Sequence, residues 1–171
     1  MQYAGLLQTI AVISMGFAGF AALVSTLSRV PMNPQARVHR VRTMVLISLF
    51  ALLFSLFPFL PAAFDASEET TWRLSSALFG LGLASLLAAM WREVGGLFRA
   101  GLLREEVMPS WRLAIFFGPS GLLALAILVS ALAGWSRAMP GMYLVGLFTL
   151  VFACSFWFLV MVIAEQPKGE S

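Results

Sequence analysis

Charge is what this sequence has least of. Of its 171 residues, 11% are Asp, Glu, Lys or Arg and 60% are hydrophobic, and the mean hydropathy is +0.91. Soluble domains are about a quarter charged, so water is not the solvent for most of this surface. Ionisable chemistry is thin as well: Lys168 is the only lysine, His39 the only histidine and Cys154 the only cysteine. One cysteine gives neither a disulfide framework nor a thiolate metal cluster. One histidine, flanked by Arg37 and Arg40, rules out bis-histidine haem ligation within a single chain. A lysine confined to the C-terminal tail leaves no intramembrane Schiff base.

Hydrolytic and nucleotide chemistry are equally unsupported. Ser75, Ser76, Ser120, Ser130 and Ser155 lie in apolar runs without the base and oxyanion donor that a nucleophile needs. Glu68-Glu69 and Glu105-Glu106 are paired carboxylates, but no histidine or aspartate stands near either at metal-ligand spacing. Gly95-Gly96 is followed by Leu-Phe-Arg, not by the Gly-Lys-Ser/Thr end of a phosphate loop. The expectation is therefore a chain with no catalytic residue, no metal and no cofactor. The formal charge of +3 comes from basic residues at the ends of apolar runs, a pattern of membrane topology and not of nucleic-acid binding.

Cutting the sequence at every Lys, Arg, Asp and Glu leaves five long uncharged windows, at 1–28, 43–64, 74–91, 113–136 and 138–164. A spanning helix needs roughly 18 or more apolar residues, and backbone in hydrocarbon must satisfy its own hydrogen bonds. The fold expected is thus all-α, a polytopic transmembrane bundle and a single domain, with spans at about 3–28, 43–64, 73–92, 113–135 and 140–164. The third window is the shortest, and Trp72 and Trp91 bracket it as interfacial anchors. Nine basic residues fall on one side, eight in the loops 29–42 and 93–112 and the tail 165–171 and the ninth, Arg92, at the end of the third span; the other side holds Arg73 and Arg137 with Asp65, Glu68 and Glu69. The positive-inside rule then puts the N-terminus out and the C-terminus in. The first span lacks the basic leading region of a signal peptide and is read as retained.

The first cytoplasmic linker, with Arg37, Arg40 and Arg42, and the second, with Arg99 and Arg104, are expected to rest on anionic lipid headgroups. The segment 95–108 either extends the third helix or lies flat at the interface. On a helical wheel, Gly5, Gln8, Thr9, Gly16, Gly19, Ala22 and Thr26 share one side of the first span, with Leu6, Ile10, Ile13, Phe17, Phe20 and Val24 opposite. Small residues let helices approach closely in lipid, so the first set should face protein and the second acyl chains. The alternative is that the small face lines a polar path. In the third span Ala77, Gly80, Ala84 and Ala88 form the small ridge, opposed by Phe79, Leu83, Leu86 and Met90.

Helix breakers mark two spans: Pro58 and Pro61 in the second, and Gly118-Pro119-Ser120-Gly121 in the fourth. Proline removes a helical hydrogen bond, so a bend near Pro119 is expected, either as fitting to neighbours or as a hinge formed by Pro58, Gly118, Pro119 and Gly121. Trp72-Arg73-Leu74 and Trp111-Arg112-Leu113 align so that Gly82-Leu83 meets Gly121-Leu122, the outline of an inverted repeat.

Gly16-Phe17-Ala18-Gly19-Phe20, an arginine-bearing linker and Phe54-Ser55-Leu56-Phe57-Pro58 resemble small multi-span bacterial inner-membrane proteins of unassigned role, over about the first third of the chain. That resemblance implies a bacterial cytoplasmic-membrane setting and carries no activity. The function expected is a non-enzymatic structural or interaction subunit, oligomeric, whose partners are lipids and itself or another membrane protein. The alternative is a small oligomeric channel or facilitator lined by hydroxyl, glycine and backbone groups.

Overall fold

The structure, a computed structural model, describes residues 3–27, 34–99, 110–134 and 137–164. Among these there is no strand. Six helices follow in order: α1 (Ala4–Leu27), α2 (Pro34–Leu56), α3 (Phe59–Ala63), α4 (Glu68–Arg99), α5 (Ser110–Ala133) and α6 (Met139–Ala164). Four helical segments are long and apolar enough to cross a membrane: Ala4–Leu23, Val41–Ala63, Glu68–Gly96 and Met139–Phe156. Gly118–Ala133, within α5, is a shorter apolar helical stretch. The protein is an all-helical membrane protein.

Three boundaries depart from the sequence expectation. Residues 34–42, expected as linker, already belong to α2, with Pro34 at its first position, where a missing N–H costs nothing. Residues 93–99, expected as loop, continue α4, whose 32 residues measure about 48 Å at the helical rise, well beyond a hydrocarbon core of about 30 Å. Residues 95–99 of the segment 95–108 thus belong to the helix, and 100–108 lie outside the described residues. The span at 43–64 is interrupted: α2 ends at Leu56, and a turn at 57–58 precedes α3. Pro58, without an N–H, cannot bond the carbonyl four residues back. The last helical-type bond into this stretch is from Phe57 N to the Leu53 carbonyl at 3.0 Å, after which Leu60 N bonds the Phe57 carbonyl at 3.0 Å, a tighter three-residue closure.

The turn from α3 into α4 is specified locally. Asp65 takes φ of 57°, and the hydrogen bonds Ala66 N to Pro61 O (3.2 Å) and Asp65 N to Ala62 O (3.2 Å) close a Schellman motif. Ser67 then caps α4, its hydroxyl accepting from Thr70 N at 3.2 Å. Glu68 and Glu69 occupy the first turn, where the helix dipole favours negative charge. At the end of α5, Gly134 adopts φ of 71°, the left-handed position in which glycine escapes the Cβ penalty.

The chain groups into two compact units, Met1–Leu60 with Leu147–Ser171, and Pro61–Gly146. In the first, α1 packs on α2. Buried Ala21 and Met44 form a small core with Phe17, Val41, Val45 and Phe158, and Phe20 meets Phe158 edge-on at 5.3 Å. In the second, α4 packs on α5, and Arg73 Nε donates to the Ala131 carbonyl at 3.1 Å, placing a cation on the C-terminal turn of α5 as the dipole favours.

The second unit corrects the expectation for α4. Phe79 is 0% exposed and Leu83 3%, although both were expected to face lipid. Gly80 is buried as expected of its ridge, Ala77 and Ala84 are half-buried and Ala88 is exposed. The reason lies on the neighbouring helices. A Cβ added to Gly146 would collide with the Phe79 ring and reach Ile127 Cδ1 at 3.0 Å; the aromatic ring occupies the space this glycine leaves. Ridge size within one helix does not reveal such large-into-small packing between helices.

Candidate functional site

Helix α1 carries an open face of small residues. Its buried side consists of Leu7, Ile10, Ala11, Ser14 and Ala21. At 100° per residue these fall roughly opposite Gly5, Gln8, Thr9, Gly16 and Gly19, all of which are exposed. A Cβ placed on Gly5, Gly16 or Gly19 would have no heavy atom within 4 Å. Among the described residues, then, nothing packs over these three glycines. The longer side chains Leu7 and Ile10 are buried on the opposite side, where they remove more apolar area from solvent than glycine could. Of the residues expected to face acyl chains, Ile10 is buried and Phe17 half-buried against the α2 core, while Leu6, Ile13 and Phe20 are exposed.

The polar groups on this face are handled differently from one another. The Thr9 hydroxyl donates to the Gly5 carbonyl one turn back at 2.9 Å, which satisfies it without a second helix. Gln8, with an amide that both donates and accepts, is exposed beside it. The result is a flat strip, formed by Gly5, Gly16 and Gly19 around Val12 and bordered by one amide. A second backbone can approach such a strip closely.

The remaining expected positions separate into groups. Gly80, Ala77 and Ala84 lie on α4, and a Cβ at Gly80 would come within 2.7 Å of Leu128 Cγ and 3.3 Å of Leu128 N, so this glycine serves contact between α4 and α5. Pro58 is fully buried at the interruption after α2. Helix α5 runs through Pro119, with Gly118, Pro119 and Gly121 exposed and open space around both glycines. Pro58 thus belongs to the first unit, and Gly118, Pro119 and Gly121 to the second. Arg42 is exposed on the first turns of the apolar part of α2. Arg104 lies outside the described residues, as do the side chains of Thr26, Arg37, Arg40 and Arg99. In the Trp-Arg-Leu alignment, Leu83 is buried and its counterpart Leu122 is exposed, so the packing is not repeated.

Sequence reasoning missed a set of buried hydroxyls. Among the described residues, the buried polar side chains are Ser14, Thr43, Ser48, Ser55, Thr71, Ser75, Ser76 and Ser130, none of them charged. Ser48 Oγ and Cys154 Sγ lie 3.3 Å apart, linking α2 to α6 within the first unit. Trp72 and Tyr143 meet edge-on at 5.8 Å, and Phe79 and Tyr143 at 4.9 Å. The signal that could have found the hydroxyls is the spacing of Thr71, Ser75 and Ser76 on the same side of α4 as Trp72 and Phe79. Among the described residues, no three His, Cys, Asp or Glu side chains come together as a metal site would require. No family model, no curated protein and no solved structure matches this chain.

Proposed function

We propose that the protein is a non-enzymatic membrane subunit that assembles with a second copy of itself through the small-residue face of α1. The observation that carries this reading is the open space over Gly5, Gly16 and Gly19 on the side of α1 turned away from the protein's own packing. Lipid tails do not drive helices together by hydrophobicity; close backbone approach and interhelical hydrogen bonds do. A two-fold pairing of α1 with α1 brings glycine to glycine and Gln8 toward Gln8, the self-complementary arrangement of an isologous interface.

The reading includes a topology of five spans. The fifth is α5, whose 24 residues measure about 36 Å, enough to cross a core of about 30 Å. The N-terminus is out and the C-terminus in, set by the arginines of the 29–42 and 93–112 regions. That bias and the resemblance of the first third support a bacterial cytoplasmic membrane. Reporter fusions after Ser67 and after Lys168 should fall on opposite sides, with Lys168 inside. The mass of the particle in lipid nanodiscs tests the assembly: two chains are expected, and a stable single chain with no partner overturns the reading.

A further inference from the structure

Hydroxyls in apolar helices usually bond their own backbone one turn back, and in this protein many do. Thr9 donates to Gly5 O, Ser55 to Leu52 O, Ser85 to Leu81 O, Ser130 to Ile127 O and Ser155 to Val151 O, at 2.7–2.9 Å. The first turns of α4 break this habit. Thr71, Ser75 and Ser76 are 1%, 0% and 0% exposed, yet none of their hydroxyl oxygens bonds the backbone of α4 or any other described group. These three hydroxyls are thus buried and unmet.

We infer that the N-terminal turns of α4 hold a small cluster of bound water on the hydroxyls of Thr71, Ser75 and Ser76, beside the Trp72–Tyr143 ring pair. The wheel places Ser76 between the residues that meet Tyr143 (Trp72, Phe79) and those that meet α5 (Arg73, Gly80), with Ser75 and Thr71 on the other flank of the Tyr143 contact. The ligand is neutral, because the buried polar groups among the described residues are all uncharged, while Glu68, Glu69 and Arg73 are exposed and the Arg73 Nε–H is held by the Ala131 carbonyl. It both donates and accepts, as the hydroxyls do. Water is the smallest molecule meeting these demands, and buried waters characteristically bind two to four polar groups that would otherwise go unmet.

X-ray radiolytic footprinting of the intact chain in lipid nanodiscs tests this, because hydroxyl radicals generated from bound water oxidise the side chains next to it. Rates at Trp72, Tyr143 and Phe79 are read by mass spectrometry and normalised to those of the unfolded chain. Expected are rates at Trp72 and Tyr143 severalfold above that of Phe79, although all three are buried, and a severalfold fall at Tyr143 in the Thr71→Val/Ser75→Ala/Ser76→Ala variant. Thr71→Ser, which keeps the oxygen, should leave the Tyr143 rate unchanged. Protection of Trp72 and Tyr143 equal to that of Phe79 in the unsubstituted protein would overturn the inference without recourse to any variant. So would a Tyr143 rate that survives removal of all three hydroxyls, since that is access from bulk solvent.

Discussion

Glycine does opposite things at Gly80 and Gly146 and on α1. At Gly80 and Gly146 a neighbouring side chain, Leu128 or Phe79, enters the space where a Cβ would stand. At Gly5, Gly16 and Gly19 nothing among the described residues approaches. The same residue type thus marks a filled space at the first two positions and an open one at the other three. In hydrocarbon, where a flat helix face gains little from lipid over any other apolar face, the proposed assembly assigns the filled glycines to packing within the subunit and the open face of α1 to packing between subunits.

The sharpest way to break this contrast is to fill both kinds of glycine. Gly146→Leu and Gly80→Val should each destabilise the fold by about 3 kcal/mol, the upper part of the overpacking range, because the obstructing groups are a packed ring and, at Gly80, the Leu128 backbone as well as its side chain. Denaturant or SDS unfolding of the purified chain reads this. Gly16→Leu with Gly19→Leu should change that same unfolding by no more than about 0.5 kcal/mol and weaken self-association at least about tenfold, or about 1.4 kcal/mol, by energy transfer in liposomes. If the α1 pair also unfolded the subunit, the two regions would be alike and the contrast would fail.

Smaller effects sharpen the picture inside each region. Ser67→Ala removes the cap of α4 and should cost about 1 kcal/mol, seen as faster hydrogen exchange at Thr70 and Thr71 with no change in association. Ser48→Ala removes only the weak contact to Cys154 and should cost about 0.5 kcal/mol or less.

Much of the fold was legible because charge is absent where helices cross apolar surroundings. The uncharged windows coincide with the apolar segments of α1, α2–α3, α4 and α6, and Gly134 sits where a glycine after an apolar run marks a helix end. Boundaries set by local hydrogen bonding were less legible. Arg37, Arg40 and Arg42 read as linker, yet arginine is a good helix former and Pro34 starts the helix before them. Asp65 takes a left-handed position more often given to glycine, and Ser67 caps α4 only once Asp65 has turned the chain. Helix faces were least legible. The wheel sorted residues by size and assumed that small meets small, whereas Phe79 and Leu83 are buried because a ring fits over Gly146, a residue some sixty-seven positions later in the chain. On α1 the buried side is Leu7, Ile10, Ala11, Ser14 and Ala21, a mixture of sizes that no single-helix pattern reveals.

Cysteine cross-linking along α1 in native membranes tests the central claim most directly. In a Cys154→Ser background, which removes the only native thiol, single cysteines at Gly5, Val12, Gly16 and Gly19 should form disulfide-linked dimers with helical periodicity, and cysteines at Leu6, Ile13 and Phe20 should not. Efficient cross-linking at Leu6, Ile13 and Phe20 with none at Gly16 and Gly19, or uniform cross-linking all round the helix, would contradict the assignment of this face to a second copy of the chain.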